Sequence, residues 1–246
     1  MSELNTYSIV ARCELTARLG VAVATAVPAV GSMCPFTRAG VGAVSTQSWV
    51  NPYLAIAVLD AIASGMAAPA ALAQVMATDE GRELRQIGVV DGEGRVASWS
   101  GAECTTWFGH EVGEGFAVQG NMLTGPDVIA AMADAYLGSA GKPLDERLML
   151  VLEAADAVGG DKRGKQSASL RIHGVEDYPA LDLRVDEHAQ PIAELRRVLE
   201  IARLQLVPFV EGMPRRGQPA GPAPIEVTSI LALSPPFRPG GGGSAL

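Results

Sequence analysis

Aromatic residues make up only 5% of the 246 positions, although hydrophobic residues reach 48%. Much of that fraction is alanine and valine, so the core has to be close-packed from small side chains, which suits layered strands. Cysteine is rare and odd in number. Cys13, Cys34 and Cys104 lie far apart, which excludes a disulfide framework and a C-x-x-C ligand pair. His110, His173 and His188 are isolated, with no i, i+4 pairing, so a zinc site would have to be assembled from distant segments. Nineteen basic residues against twenty-seven acidic ones give a net charge of -8. Without a basic stripe, nucleic acid is excluded as a partner. No apolar run reaches the length of a membrane span. The apolar run at 19–31 contains Pro28, and Glu3 and Glu14 interrupt the basic leader a signal peptide needs. A buried strand explains it better, and a cytoplasmic protein is expected.

The length suits one domain with a substantial core. Strands are expected at 7–13, 19–27, 40–47, 86–91, 95–100, 116–123, 167–173 and 181–185, from apolar runs or alternation bounded by turn residues. Pro35 argues against a central strand at 30–38. Helices are expected from Pro52 to Gly65, from Pro69 to Gly81, after Gly125-Pro126, from Pro143, and over 192–206. Runs of strands, then paired helices, then strands again are not the alternation of a doubly wound sheet. The order predicts an α+β sandwich of two mostly antiparallel sheets with helix layers outside, spanning 1–212. Residues 213–246 are Pro- and Gly-rich and read as a tail without its own core.

One stretch has no apolar residue at all. Gly159-Gly160-Asp161-Lys162-Arg163-Gly164-Lys165-Gln166-Ser167 carries two of the chain's three lysines and two consecutive glycines. Glycine backbones can turn sharply and present N–H groups to an anion, which makes this segment a candidate site rim. It approaches the phosphate-binding loop G-x-x-x-x-G-K-[ST], but Gln166 stands where the hydroxyl belongs. A helix precedes it and a strand follows, the reverse of the order a phosphate loop needs. A solvated helix-to-strand turn is the plainer alternative. Gln119 and Asn121 share one side of their strand, either as core-edge amides or as groups that hydrogen-bond an amide or an oxyanion.

Several phrases resemble a known family: Thr6-Tyr7-Ser8-Ile9-Val10-Ala11-Arg12, Arg38-Ala39-Gly40-Val41-Gly42-Ala43-Val44-Ser45-Thr46-Gln47, Gln119-Gly120-Asn121-Met122-Leu123, and the glycine loop through Gln166-Ser167-Ala168. They look like domain-of-unknown-function family 1028, placed in the N-terminal nucleophile (Ntn) hydrolase superfamily, and the likeness runs over residues 6–206 in order. It implies a four-layer αββα fold. It also implies an amidohydrolase acting on a small amide, with a terminal Thr as nucleophile and its own α-amine as base. That amine has an ordinary pKa of about 7.7 to 8.0, so it can accept a hydroxyl proton near neutrality. The matching residue is Thr6.

Here Ser2-Glu3-Leu4-Asn5 precedes that threonine, and removing Met1 exposes Ser2: either the Asn5-Thr6 bond is cut, or Ser2 substitutes imperfectly, or the site only binds. The resemblance extends to Arg38, whose charge would lower the amine pKa, and to Asn121 with Thr46 and Gln47 as oxyanion or substrate contacts. Gln119, Asp161, Arg163 and Gln166 complete the expected substrate contacts, and for Asp161 and Arg163 a simple pair across the turn is the alternative. No cofactor is expected, and a homo-oligomer is expected by analogy with related folds. The competing reading is a non-catalytic ligand-binding or assembly protein on the same fold.

Overall fold

The computed structural model describes residues 6–218 and 221–245. Its first half runs β1 (Thr6–Arg12), β2 (Leu19–Thr25), β3 (Pro35–Arg38), β4 (Gly42–Ser48), α1 (Pro52–Ala63), α2 (Ala68–Thr78), β5 (Arg85–Asp91) and β6 (Val96–Ser100). The second half runs β7 (Gly109–Gly113), β8 (Phe116–Asn121), α3 (Asp127–Gly138), α4 (Leu144–Ala157), β9 (Ser167–His173), β10 (Leu181–Val185), α5 (Pro191–Gln205), α6 (Val207–Glu211) and α7 (Ile225–Leu231). The strands form a six-stranded sheet, β10-β9-β2-β1-β8-β7, and a four-stranded sheet, β3-β4-β5-β6. Neighbours pair antiparallel throughout.

Period-2 alternation decides what each sheet face meets. On β1, Tyr7, Ile9 and Ala11 enter an apolar cluster with α3, α4 and α5, while Val10 faces the other way. On β4 and β5, Val44, Ile87 and Val89 pack under α1 and α2. Val10, Val21 and Ala117 of one sheet meet Ala43 and Val90 of the other between the layers. The result is the expected αββα sandwich, with four layers in the order helix, sheet, sheet, helix. Small residues are required where the layers approach closely. A Cβ on Gly20 would lie 2.6 Å from Leu148 Cδ1 of α4.

Local signals place most elements where the sequence has them. Pro52 opens α1 behind Asn51, whose side chain accepts from Tyr53 N at 3.2 Å. Pro35 sits on an edge strand, where a missing donor costs nothing. Strand β7 was not foreseen. His110, Glu111 and Val112 are exposed, so this edge strand carries no apolar periodicity to read. Helices α6 and α7 were not foreseen either. Beyond residue 213 the chain runs back along α5: Val227 of α7 is buried, and Gln205 Nε2 donates to the carbonyls of Pro239 and Gly241, each at 2.9 Å. No helix among the described residues is long and apolar enough to cross a membrane. The three cysteines are buried, and burial pushes the Cys34 thiol up to about 12.

One buried carboxylate ties the β5–β6 hairpin to α2. Asp91 accepts from Glu93 N and Arg95 N at 3.0 Å, from Arg95 Nε at 2.7 Å, and from Ala68 N at 3.0 Å at the start of the helix. Burial alone would raise its pKa, but these donors outweigh burial and hold it below the usual carboxylate range. Asp91→Ala removes the acceptor from four donors at once, the Ala68 N–H among them fully buried. It is expected to cost about 3 kcal/mol, seen as a lowered urea midpoint with unchanged slope.

Candidate active site

Thr6 opens β1, a central strand of the larger sheet, and is fully buried. The register sets Thr25 of β2 on one side of it and Asn121 of β8 on the other. Its hydroxyl donates to Thr25 Oγ1 at 3.3 Å. Among the described residues, no histidine, lysine or carboxylate hydrogen-bonds that hydroxyl.

The glycine loop crosses this same end of the sheet. Gln166 N donates to Thr25 O at 2.7 Å, Asp161 bridges to Leu123 just past β8, and Asp161 Oδ2 accepts from Ala26 N at 3.2 Å. Asp161 is nearly buried and also pairs with Arg163, whose Nη2 lies 3.1 Å from Oδ2. The loop follows α4 and precedes β9, as the sequence implies. Lys165 does not reach outward for a phosphate. Its Nζ donates to both oxygens of Asp156, at 2.8 and 2.7 Å. Thr6, Asn121, Asp161, Arg163 and Gln166 are therefore gathered at one sheet end.

Between the sheets the amides form a continuous network. Ser8 Oγ donates to Gln47 Oε1 and accepts from Gln119 Nε2, both at 2.6 Å. Gln47 Nε2 donates to Thr6 O at 3.1 Å and to Gln86 Oε1 at 2.8 Å. Gln86 Nε2 in turn donates to Gly120 O at 2.9 Å, Gly109 O at 3.1 Å and Ser100 Oγ at 2.8 Å. Asn121 Nδ2 donates to Gln86 Oε1 at 3.1 Å, leaving Asn121 Oδ1 buried without a partner among the described residues. Asn121 thus keeps one N–H and one acceptor beside Thr6.

This geometry reassigns several expected substrate contacts. Gln47 has its acceptor and its donors committed, so it positions the Thr6 backbone. Gln119 lies with Ser8 inside the sandwich, and its Oε1 fills the place a Cβ on Gly88 would take. Thr46 is on the opposite face of β4, with Val44 and Ile87 on the side of α1 and α2, because successive side chains alternate. Arg38 pairs with Gly42 at the far end of β4 and binds Asp60 at 2.8 Å. Five residue steps along the strand from Gly42 to Gln47 separate it from Thr6 by about 17 Å, too far to lower the amine pKa through direct contact.

The sequence reading missed Ser8, Thr25 and Gln86. The available signal was a polar residue on the inward face of an otherwise apolar strand, as in Ser8 before Val10. Such a residue must be paired, and it points to a buried network.

Among curated proteins none matches the chain. The structure is similar to that of protein SPO2555 from Silicibacter pomeroyi, with 26% identity, a TM-score of 0.80, and coverage of 87% of this chain and 93% of the other. Anbu, an ancestral beta-subunit from Yersinia bercovieri, aligns at 12% identity and a TM-score of 0.39, covering 85% of this chain and 98% of its own. With residues 6–195 matched, the chain belongs to the family of unknown function DUF1028.

Proposed function

We propose that the protein is an amidohydrolase of the N-terminal nucleophile type, with Thr6 as nucleophile and its own α-amine as base once the Asn5-Thr6 bond is cut. The observation that carries this reading is the surroundings of the Thr6 hydroxyl. It heads a central strand beside Thr25 and Asn121, with no side-chain base hydrogen-bonded to it among the described residues. The base nearest to hand is therefore the residue's own nitrogen, which serves only as a free amine. In this reading the amine takes the hydroxyl proton and Oγ1 attacks the amide carbonyl. The C–N bond breaks as the ammonium returns its proton to the leaving amine. Water, deprotonated by the same amine, then hydrolyses the ester and frees Oγ1. Asn121 orients the substrate amide through Oδ1 and its remaining N–H. Asp161 and Gln166 line the approach, while Gln47 holds the Thr6 carbonyl.

Complete burial of Thr6 favours a second reading, a ligand-binding protein without turnover, because an enclosed hydroxyl meets no substrate. Intact mass and N-terminal sequencing, followed by incubation with a small β-lactone, separate the two. The enzyme reading expects a chain beginning at Thr6 that gains one acyl group there. A chain that retains residue 5 and takes no adduct overturns it.

A further inference from the structure

On the other face of β1 from the Thr6 hydroxyl, a cavity of about 200 Å³ is lined by Tyr7, Asp156, Gly159, Asp161, Gly164 and Lys165. The Tyr7 side chain is buried, and its hydroxyl has no hydrogen-bond partner among the described residues. An orphaned buried hydroxyl is costly in a folded chain unless something else satisfies it.

The surrounding groups decide what that is. Every carboxylate oxygen at the cavity already accepts a donor. Both oxygens of Asp156 take Lys165 Nζ. Asp161 Oδ1 takes Arg163 N at 2.9 Å and Nε at 3.4 Å, and Oδ2 takes Ala26 N and Arg163 Nη2. These ion pairs offset the two negative charges in part. What remains is donors: the Tyr7 O–H, and the third N–H of the Lys165 ammonium. Burial first, and then the charges of Asp156 and Asp161, raise the Tyr7 pKa, so the phenol stays protonated and can only donate its proton or accept weakly. The backbone keeps the space open. Gly160 has φ +50°, and a Cβ there would lie 3.0 Å from Tyr7 Cε1 and 3.4 Å from its hydroxyl.

We propose that this cavity binds the carboxylate of a small molecule, with Tyr7 Oη donating to one oxygen and Lys165 Nζ to the other. The volume is below that of pockets for drug-sized ligands, which limits the occupant to about two to five carbons. A ligand there rests on the helix-facing side of β1, the opposite face from the Thr6 hydroxyl, so carboxylate binding is independent of the Thr6 chemistry.

Calorimetric titration with acetate, propionate, succinate and glutarate, and with their amides, tests the site on the wild type and on Thr6→Ala, Tyr7→Phe and Lys165→Gln. The expected result is binding of at least one carboxylate to the wild type and to Thr6→Ala, with the matched amide weaker. Tyr7→Phe should raise Kd about 10- to 100-fold, with an unchanged or higher melting temperature without ligand, because it removes an orphan hydroxyl. Lys165→Gln should weaken binding as well, an independent check if Tyr7→Phe folds poorly. Absence of binding by all four acids, equal binding of the amides, or binding indifferent to both variants overturns the proposal. Carboxylate binding by a protein that hydrolyses no amide upholds the cavity and removes only the Thr6 chemistry.

Discussion

Thr6→Ala is expected to lower the turnover of any small amide the protein hydrolyses by about a thousandfold or more, with the fold retained. The size follows from the role. Without Oγ1 no acyl-enzyme can form, and the pathway that splits one difficult step into two easier ones is lost. The fold survives because, among the described residues, the hydroxyl makes a single long hydrogen bond, 3.3 Å to Thr25, and its loss with one buried methyl costs about 1 to 2 kcal/mol. Thr6→Ser keeps the nucleophile and should keep part of the activity. The measurement is kcat/KM for acyl anilides alongside circular dichroism of both variants. Activity unchanged in a folded Thr6→Ala protein would sink the amidohydrolase reading. The β-lactone adduct should vanish in the same variant, which gives a readout that needs no substrate.

The second large effect is on stability. Gln86→Leu is expected to destabilise the protein by about 4 kcal/mol, a large share of the 5 to 15 kcal/mol typical of a domain. Gln86 stands at the centre of the network between the sheets. It accepts from Gln47 and Asn121 and donates to two carbonyls and Ser100. Leucine fills the volume but satisfies none of these groups, and a half-satisfied buried network is worse than an apolar one. Losses within one network are not additive, so the total falls below the sum of the separate bonds. Urea unfolding measures it, and a loss under about 1 kcal/mol would mean that water or neighbours replace the amide. Because Gln47 and Asn121 flank Thr6, the same variant should also reduce activity in whatever protein remains folded.

How much of this could be read from the chain differs by element. The alternation of β1 is legible in Tyr7-Ser8-Ile9-Val10, and the proline starts of α1 and α2 are legible from their sequence alone, because these signals are local. Edge strand β7 was hidden because its exposed residues answer to no core. The return of the tail along α5 was hidden because a few contacts, such as that of Val227, decide it. For the site, period 2 correctly set Gln119 and Asn121 on one face. What that face meets could not be read locally. Gln119 finds Ser8 across the pair of strands, and Asn121 finds Gln86 across the sandwich.

By itself the sequence determined the αββα class, the Thr6 strand, and a polar glycine loop that must lie at the surface, since side-chain period and backbone freedom are properties of neighbours along the chain. The tertiary structure alone decided that Arg38 stands apart from Thr6, that Gln47 holds a backbone carbonyl, and that Tyr7 lines a cavity under the loop. Those facts depend on strand register and on the approach of two sheets, where one residue of shift moves a side chain to the opposite face.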